Sequence, residues 1–165
     1  MPPPGSRRDT ARVILAGPDD RVLLFRYLLP APWAREGWLT PGGAIDPGET
    51  PAQAAARELA EETGCLLPAA SIGLAVAVSS GRWYDATGTT ITTASWYFFA
   101  RAGSSRISLS GQGNSERRSL LRQRWWNANE LCETSDLVLP VGLAGLVPRL
   151  LGGERPQGPV HLPWT

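Results

Sequence analysis

Apolar residues along this chain recur in two rhythms. Short β-branched or apolar runs at 11–15 (ARVIL) and 22–27 (VLLFRY) flank the turn signal Gly17-Pro18-Asp19-Asp20 and predict two strands joined by a tight connection. Similar runs predict strands at 72–78 (IGLAVAV), 89–101 (TTITTASWYFFAR) and 123–126 (QRWW), and a short one at 106–109 within the otherwise loop-like 102–115. Trp38-Leu39 predicts a short strand before the Pro41-Gly42-Gly43 turn. Residues 30–37, 44–49 and 80–88 predict loops.

The helical rhythm is clearest at 51–63. Thr50 is placed to cap that helix, Pro51 suits its first position, and Gly64 stops it. Its Ala, Glu, Leu, Gln and Arg residues are good helix formers. Ala52, Ala55, Ala56 and Leu59 share a face, and their small size predicts close approach to a sheet. Residues 127–132 predict a helical turn, and apolar positions 139, 143, 146, 147 and 150 predict a further helix kinked or split by Pro148. Strands and helices mix irregularly without repeat or linker. That predicts one α/β sandwich with a mixed sheet, spanning 10–155 between loose tails at 1–9 and 156–165.

Composition narrows the chemistry. A net charge of +1 points to neither nucleic acid nor membrane as partner. No apolar run of about 18 residues is present, and MPPPGSRRDT lacks the apolar region of a secretory signal. Cys65 and Cys132 form no metal or redox pair; they read as small buried thiols in a reducing compartment, the cytoplasm. All 16 basic residues are arginines, which removes Schiff-base chemistry and the lysine of a Walker A loop. One histidine, His161, is too few for a histidine metal site and reads as a tail residue. Chemistry, if present, falls to carboxylates and arginines.

Such carboxylates are concentrated in RELAEETG, 57–64. Glu58, Glu61 and Glu62 stand at i, i+3 and i+4, one stripe of a helix, where like charges repel by roughly 0.2–0.5 kcal/mol per pair. The wider stretch from Gly43 places Glu49 six residues on, Arg57-Glu58 eight further, then Leu59, Glu61-Glu62 and Gly64. This resembles the Nudix box, G-x5-E-x7-R-E-U-x-E-E-x-G-U, at every fixed position, with Cys65 at the last apolar site. Trp38 to Gly42, Arg124-Trp125-Trp126 and Glu130-Leu131 extend the resemblance. A solvated acidic helix face, the competing reading, does not account for Gly43, Glu49, Arg57 and Gly64 falling in register.

The resemblance implies a Nudix-type α/β/α sandwich and Mg²⁺- or Mn²⁺-dependent hydrolysis of a diphosphate bond. Gly43, through its carbonyl, with Glu58, Glu61 and Glu62 would hold the cation. Arg57 would pair with Glu49 and hold loop to helix, and Gly64 would close it. The general base would be Glu58 or, in a later loop, Glu116, for which a solvated residue is the competing reading. For the remainder of the substrate, Arg26, Arg82, Trp83 and Tyr84 are candidate contacts, against solvated or loop roles for each. Trp33, Trp38 and Trp96 offer further aromatic faces. The expected partner is a small nucleotide-type molecule, with a homodimer as a candidate assembly. The field includes nucleoside triphosphates, oxidised nucleotides, NDP-sugars and dinucleoside polyphosphates. A non-catalytic nucleotide-binding regulatory domain is the alternative function.

Overall fold

A central pair of strands organises the molecule. The computed structural model describes residues 5–113 and 119–165. Strands β1 (Ser6–Arg7) and β2 (Thr10–Ala16) run parallel to β7 (Thr90–Arg101) in a single register, Ser6 opposite Ile91 and Thr10 opposite Ser95. From this pair the sheet extends both ways. Beyond β7 come β6 (Ala77–Tyr84) and β10 (Val160–His161); beyond β2 come β3 (Val22–Leu28), β4 (Glu36–Leu39) and β9 (Val138–Leu139). Strands β5 (Gly42–Ala44) and β8 (Leu120–Trp126) pair with β2 and β3 off this path. The result is a mixed sheet with helices on both faces.

Period-two alternation along β2 assigns each face its cover. Ala11, Val13 and Leu15 point to one face, where they pack with Ala54, Ala55 and Leu59 of helix α1 (Pro51–Thr63) and Ile72 of α2 (Ala69–Ile72). Ile14 and Ala16 point to the other, with Tyr97, Phe99, Leu131 of α3 (Ala128–Glu133) and Leu143, Leu146, Val147 and Leu150 of α4 (Leu143–Leu151). Small residues let α1 lie close to the strands. Ala54, fully buried, anchors this face with Ala55 and Leu59, while Ala52 and Ala56 sit at its margin. Burying Leu59 alone contributes about 1.5–3 kcal/mol.

Helix α1 begins in a capping box. The Gln53 N–H donates to Thr50 Oγ1 at 3.2 Å, and the Thr50 N–H donates to the Gln53 side chain at 2.9 Å. Gly64 closes it at φ 73°. The Arg-Trp…Glu-Leu segment is structural. The Arg124 guanidinium lies 3.9 Å from the Trp126 ring and 3.0 Å from Glu130, while Glu130 caps α3 and Leu131 is buried.

Several elements differ from the sequence expectations. The 72–78 run starts with the end of α2 and becomes strand only at Ala77. The expected loop at 80–88 is strand as far as Tyr84, because β7 supplies partners through Thr90; the turn is then held by Asp85, whose Oδ1 accepts the Thr87 and Thr89 N–H groups at 2.9 Å. No strand forms at 106–109, and β8 begins at Leu120. Helix α4 continues through Pro148. The Ala144 carbonyl, four residues earlier and denied its usual partner by proline, lies 3.6 Å from the Cys132 thiol. Cys132 is exposed and Cys65 half-buried, neither a core residue. Of the segments set apart as tails, Ser6–Arg7 and Val160–His161 both pair in the sheet. Among the described residues, no helix is long and apolar enough to cross a membrane.

Candidate functional site

Helix α1 turns its acidic stripe toward the β5 edge. Glu58 and Glu62 are buried, at 6% and 4% exposure. The Gly42 N–H donates to Glu62 Oε2 at 2.8 Å. A Cβ placed on Gly43 would lie 2.5 Å from Glu58 Oε1, so the β5 backbone rests directly against that carboxylate. Glu61 is more open, with its side chain 44% exposed.

Arg57 organises these charges. Its Nε and Nη2 donate to the two oxygens of Glu49 at 2.8 and 2.9 Å, a bidentate pair that fastens the 44–49 loop to the helix. Nη2 also donates to the Ala44 carbonyl at 2.9 Å. Nη1 faces the stripe, 2.8 Å from Glu58 Oε1 and 3.6 Å from Glu61 Oε2. The repulsion built into the stripe is thus partly offset from within the same helix. Arg57 in turn holds the Glu49 carboxyl below its ordinary range, aided by the Asp46 N–H, against the opposing effect of burial.

This pair has a pH signature. Glu49 has a lower pKa folded than unfolded, so its contribution is complete above the unfolded value and is lost as pH falls through the folded one. Glu49→Gln is expected to lower stability by about 1.5–3 kcal/mol at neutral pH, the range for hydrogen bonds to charged groups. The gap from the parent should close in acid. Melting curves from neutral to acid pH check this; a gap that stays constant into acid refutes it.

Beside β5 lies a cavity of about 290 Å³, and strand register explains its floor. Ala44, Thr10, Ser95 and Ser79 are successive partners across β5, β2, β7 and β6, and all line it. Two residues along, Arg12 is opposite Tyr97 and lines it as well. The adjacent part of this face, from Ile14 and Phe99 onward, is covered by α4; the cavity occupies what α4 leaves open. Thr10 Oγ1 donates to Ser95 Oγ at 2.8 Å, and Thr93 Oγ1 donates to the Arg8 carbonyl. Arg12 Nη1 donates to the Thr40 carbonyl at 2.8 Å. Burial pushes the Tyr97 phenol upward, with Arg12 and the Ser95 hydrogen bond opposing. Gly43 borders both this cavity and Glu58.

The four candidate substrate contacts separate. Trp83 lines the cavity; Arg82 and Tyr84 do not, because β6 alternates and sends them to the opposite, exposed face. Arg26 is also elsewhere, 2.7 Å from Glu36 and over the Trp38 ring. Glu116 lies outside the described residues. Arg8, Thr10 and Arg12 were missed by sequence reasoning, although their polar-at-even-positions rhythm beside Ala11 and Val13 is a strand signal. Trp164 was missed as part of a supposed tail.

The groups of α1 and β5 at this corner that are able to ligate a cation are oxygens, the set preferred by hard divalent cations. Among the described residues, no three His, Cys, Asp or Glu side chains converge in ligating geometry. The donor chemistry and the Gly43 cradle nevertheless fit such an ion.

A mixed sheet between two helical layers, with a glycine loop pressed on an acidic helix at the edge of a cavity, defines a Nudix-type α/β/α domain. A family model described as the NUDIX domain matches residues 6–148. The chain belongs to this family. In fold it is similar to the mMutator MutT protein of Bacillus halodurans, at TM-score 0.59 and 21% identity over 90% of this chain and 84% of that one. It is similar too to a NUDIX family hydrolase of Clostridium perfringens, at TM-score 0.57 and 17% identity over 89% and 97% of the two chains. A 67-residue stretch is 46% identical to an octanoyltransferase of Myxococcus xanthus, covering 41% of this chain and 18% of that protein. The match thus takes in about a fifth of the curated relative's length.

Proposed function

We propose that this chain is a hydrolase that cleaves the pyrophosphate bond of a nucleoside diphosphate linked to another moiety, with Mg²⁺ or Mn²⁺. The observation that carries this reading is the Gly43 backbone lying against the Glu58 carboxylate, with the same glycine bordering the cavity. Glu58, Glu61, Glu62 and the Gly43 carbonyl are the groups that would hold the cation. When bound, it offsets phosphate charge and lowers the pKa of a water. Glu58 is the first candidate for general base, being buried against Gly43, which borders the cavity; Glu116 is the second. Arg12, rigidly held by Thr40, supplies a cation on the cavity floor for a phosphate oxygen. Both cysteines are free thiols, which fits a cytoplasmic setting.

The test is release of phosphate, pyrophosphate or nucleoside monophosphate from a panel of nucleoside triphosphates, NDP-sugars, dinucleoside polyphosphates and oxidised nucleotides. Turnover with Mg²⁺ or Mn²⁺, abolished by chelation and restored by the metal, is expected. Nucleotide binding without turnover of any member would instead establish a regulatory binding domain.

A further inference from the structure

Three indoles converge on the cavity from unconnected parts of the chain: Trp33 from the loop after β3, Trp83 from β6, and Trp164 from the segment after β10. Trp164 lies beyond residue 148, where the family match ends. It is nonetheless firmly built in. The Val160 and Leu162 N–H groups donate to the Val76 and Val78 carbonyls, both at 2.9 Å, continuing the sheet. Ser79 Oγ donates to the Pro163 carbonyl at 3.1 Å, and the Trp164 indole N–H to the Arg82 carbonyl at 2.9 Å. The ring lies on Gly81, where an added Cβ would sit 2.1 Å from its Cγ. Its centroid is 5.1 Å from that of Trp33, with the planes tilted by 54°.

These anchors leave all three indoles only half-buried. A large aromatic surface therefore faces open cavity, an arrangement that a flat ring completes by stacking. Among the described residues, no carboxylate lines the wall, so an electron-rich ring with polar edges meets indole faces and the hydroxyls of Ser79, Thr93 and Ser95. Distance agrees with one ligand reaching both ends. Row by row from β5 to β6 there are three interstrand steps of about 4.8 Å, or about 14 Å from the Ala44 position beside the acidic corner to Ser79. That separation accommodates a ribose between a diphosphate and a base.

We propose that Trp164, with Trp33 and Trp83, forms the nucleobase subsite, so that a segment outside the matched family span sets which nucleotides this chain accepts. The inference rests on the nucleotide reading of the cavity but not on turnover, and binding tests it alone. Calorimetry with ADP, GDP, CDP and UDP, against ribose 5-phosphate and inorganic pyrophosphate as ring-free probes, is the experiment. At least one nucleoside diphosphate is expected to bind the parent about tenfold or more tightly than either ring-free probe. Trp164→Ala should remove about tenfold or more of that affinity while pyrophosphate binding changes less than about twofold; Trp164→Phe should keep most of it. Gly81→Ala, which displaces the ring without touching Trp164, should reproduce the loss. Ring-free probes binding the parent as tightly as the nucleotides, or folded Trp164→Ala and Gly81→Ala proteins binding nucleotides as the parent does, would overturn the proposal. Absence of hydrolysis with this binding pattern intact would count against the catalytic reading alone.

Discussion

Glu61→Gln is expected to lower kcat/KM at least about a hundredfold while the melting temperature stays within about 2 °C of the parent. Among the three stripe carboxylates, Glu61 gives the cleanest separation of catalysis from folding. Its side chain is 44% exposed, and its ion pair to Arg57 is long, at 3.6 Å. Glu58 and Glu62 are buried, and both are tied to the architecture: Glu62 accepts the Gly42 N–H, and Glu58 packs on Gly43. Neutralising Glu61 also removes like-charge repulsion from the helix, so stability has no reason to fall. The Mg²⁺ concentration for half-maximal rate should rise as well. A folded Glu61→Gln protein with the parent's kcat/KM would strike Glu61 from the cation site.

The second large effect concerns stability. Gly42 adopts φ +146°, and a Cβ there would lie 2.3 Å from the Ala11 carbonyl oxygen and 2.6 Å from the Arg12 Cα. Both obstacles are backbone of a central strand, which cannot yield as a flexible side chain can. Gly42→Ala therefore combines backbone strain with overpacking and is expected to cost about 3 kcal/mol or more. For a chain of this size that is a fall of about 6–12 °C in melting temperature. The same shift would move the Gly42 N–H off Glu62 and disturb β5, so activity should fall with it. A melting temperature within about 2 °C of the parent would show that β2 and β5 can separate at little cost.

Local chemistry explains which elements were legible in the sequence. Helix α1 was, at both ends, because Thr50, Pro51 and Gly64 act on the backbone within a few residues. The central strands were, because β-branched runs are read one strand at a time. The acidic stripe was, because helical spacing alone places Glu58, Glu61 and Glu62 together. The cavity was not. Its floor exists only once Ala44, Thr10, Ser95 and Ser79 are brought into line by pairings between residues up to 85 positions apart, and no local pattern announces that register. The same cause separated Trp83 from Arg82 and Tyr84: a loop offers all three, a strand only alternate ones. Trp164 was hidden differently, since Pro- and Gly-rich flanks at 152–163 read as a tail until β6 is known to have a free edge.

Arg57 gives the acidic corner a resident counter-ion. Its two edges do different jobs: Nε and Nη2 grip Glu49, while Nη1 leans on Glu58 and Glu61. On the proposed cation site, a divalent cation arriving at those carboxylates would meet no bare cluster of charge; it would exchange places with one edge of a guanidinium whose other edge stays clamped to Glu49. Cation uptake at this corner would then be a trade between two positive groups, on terms set by Arg57.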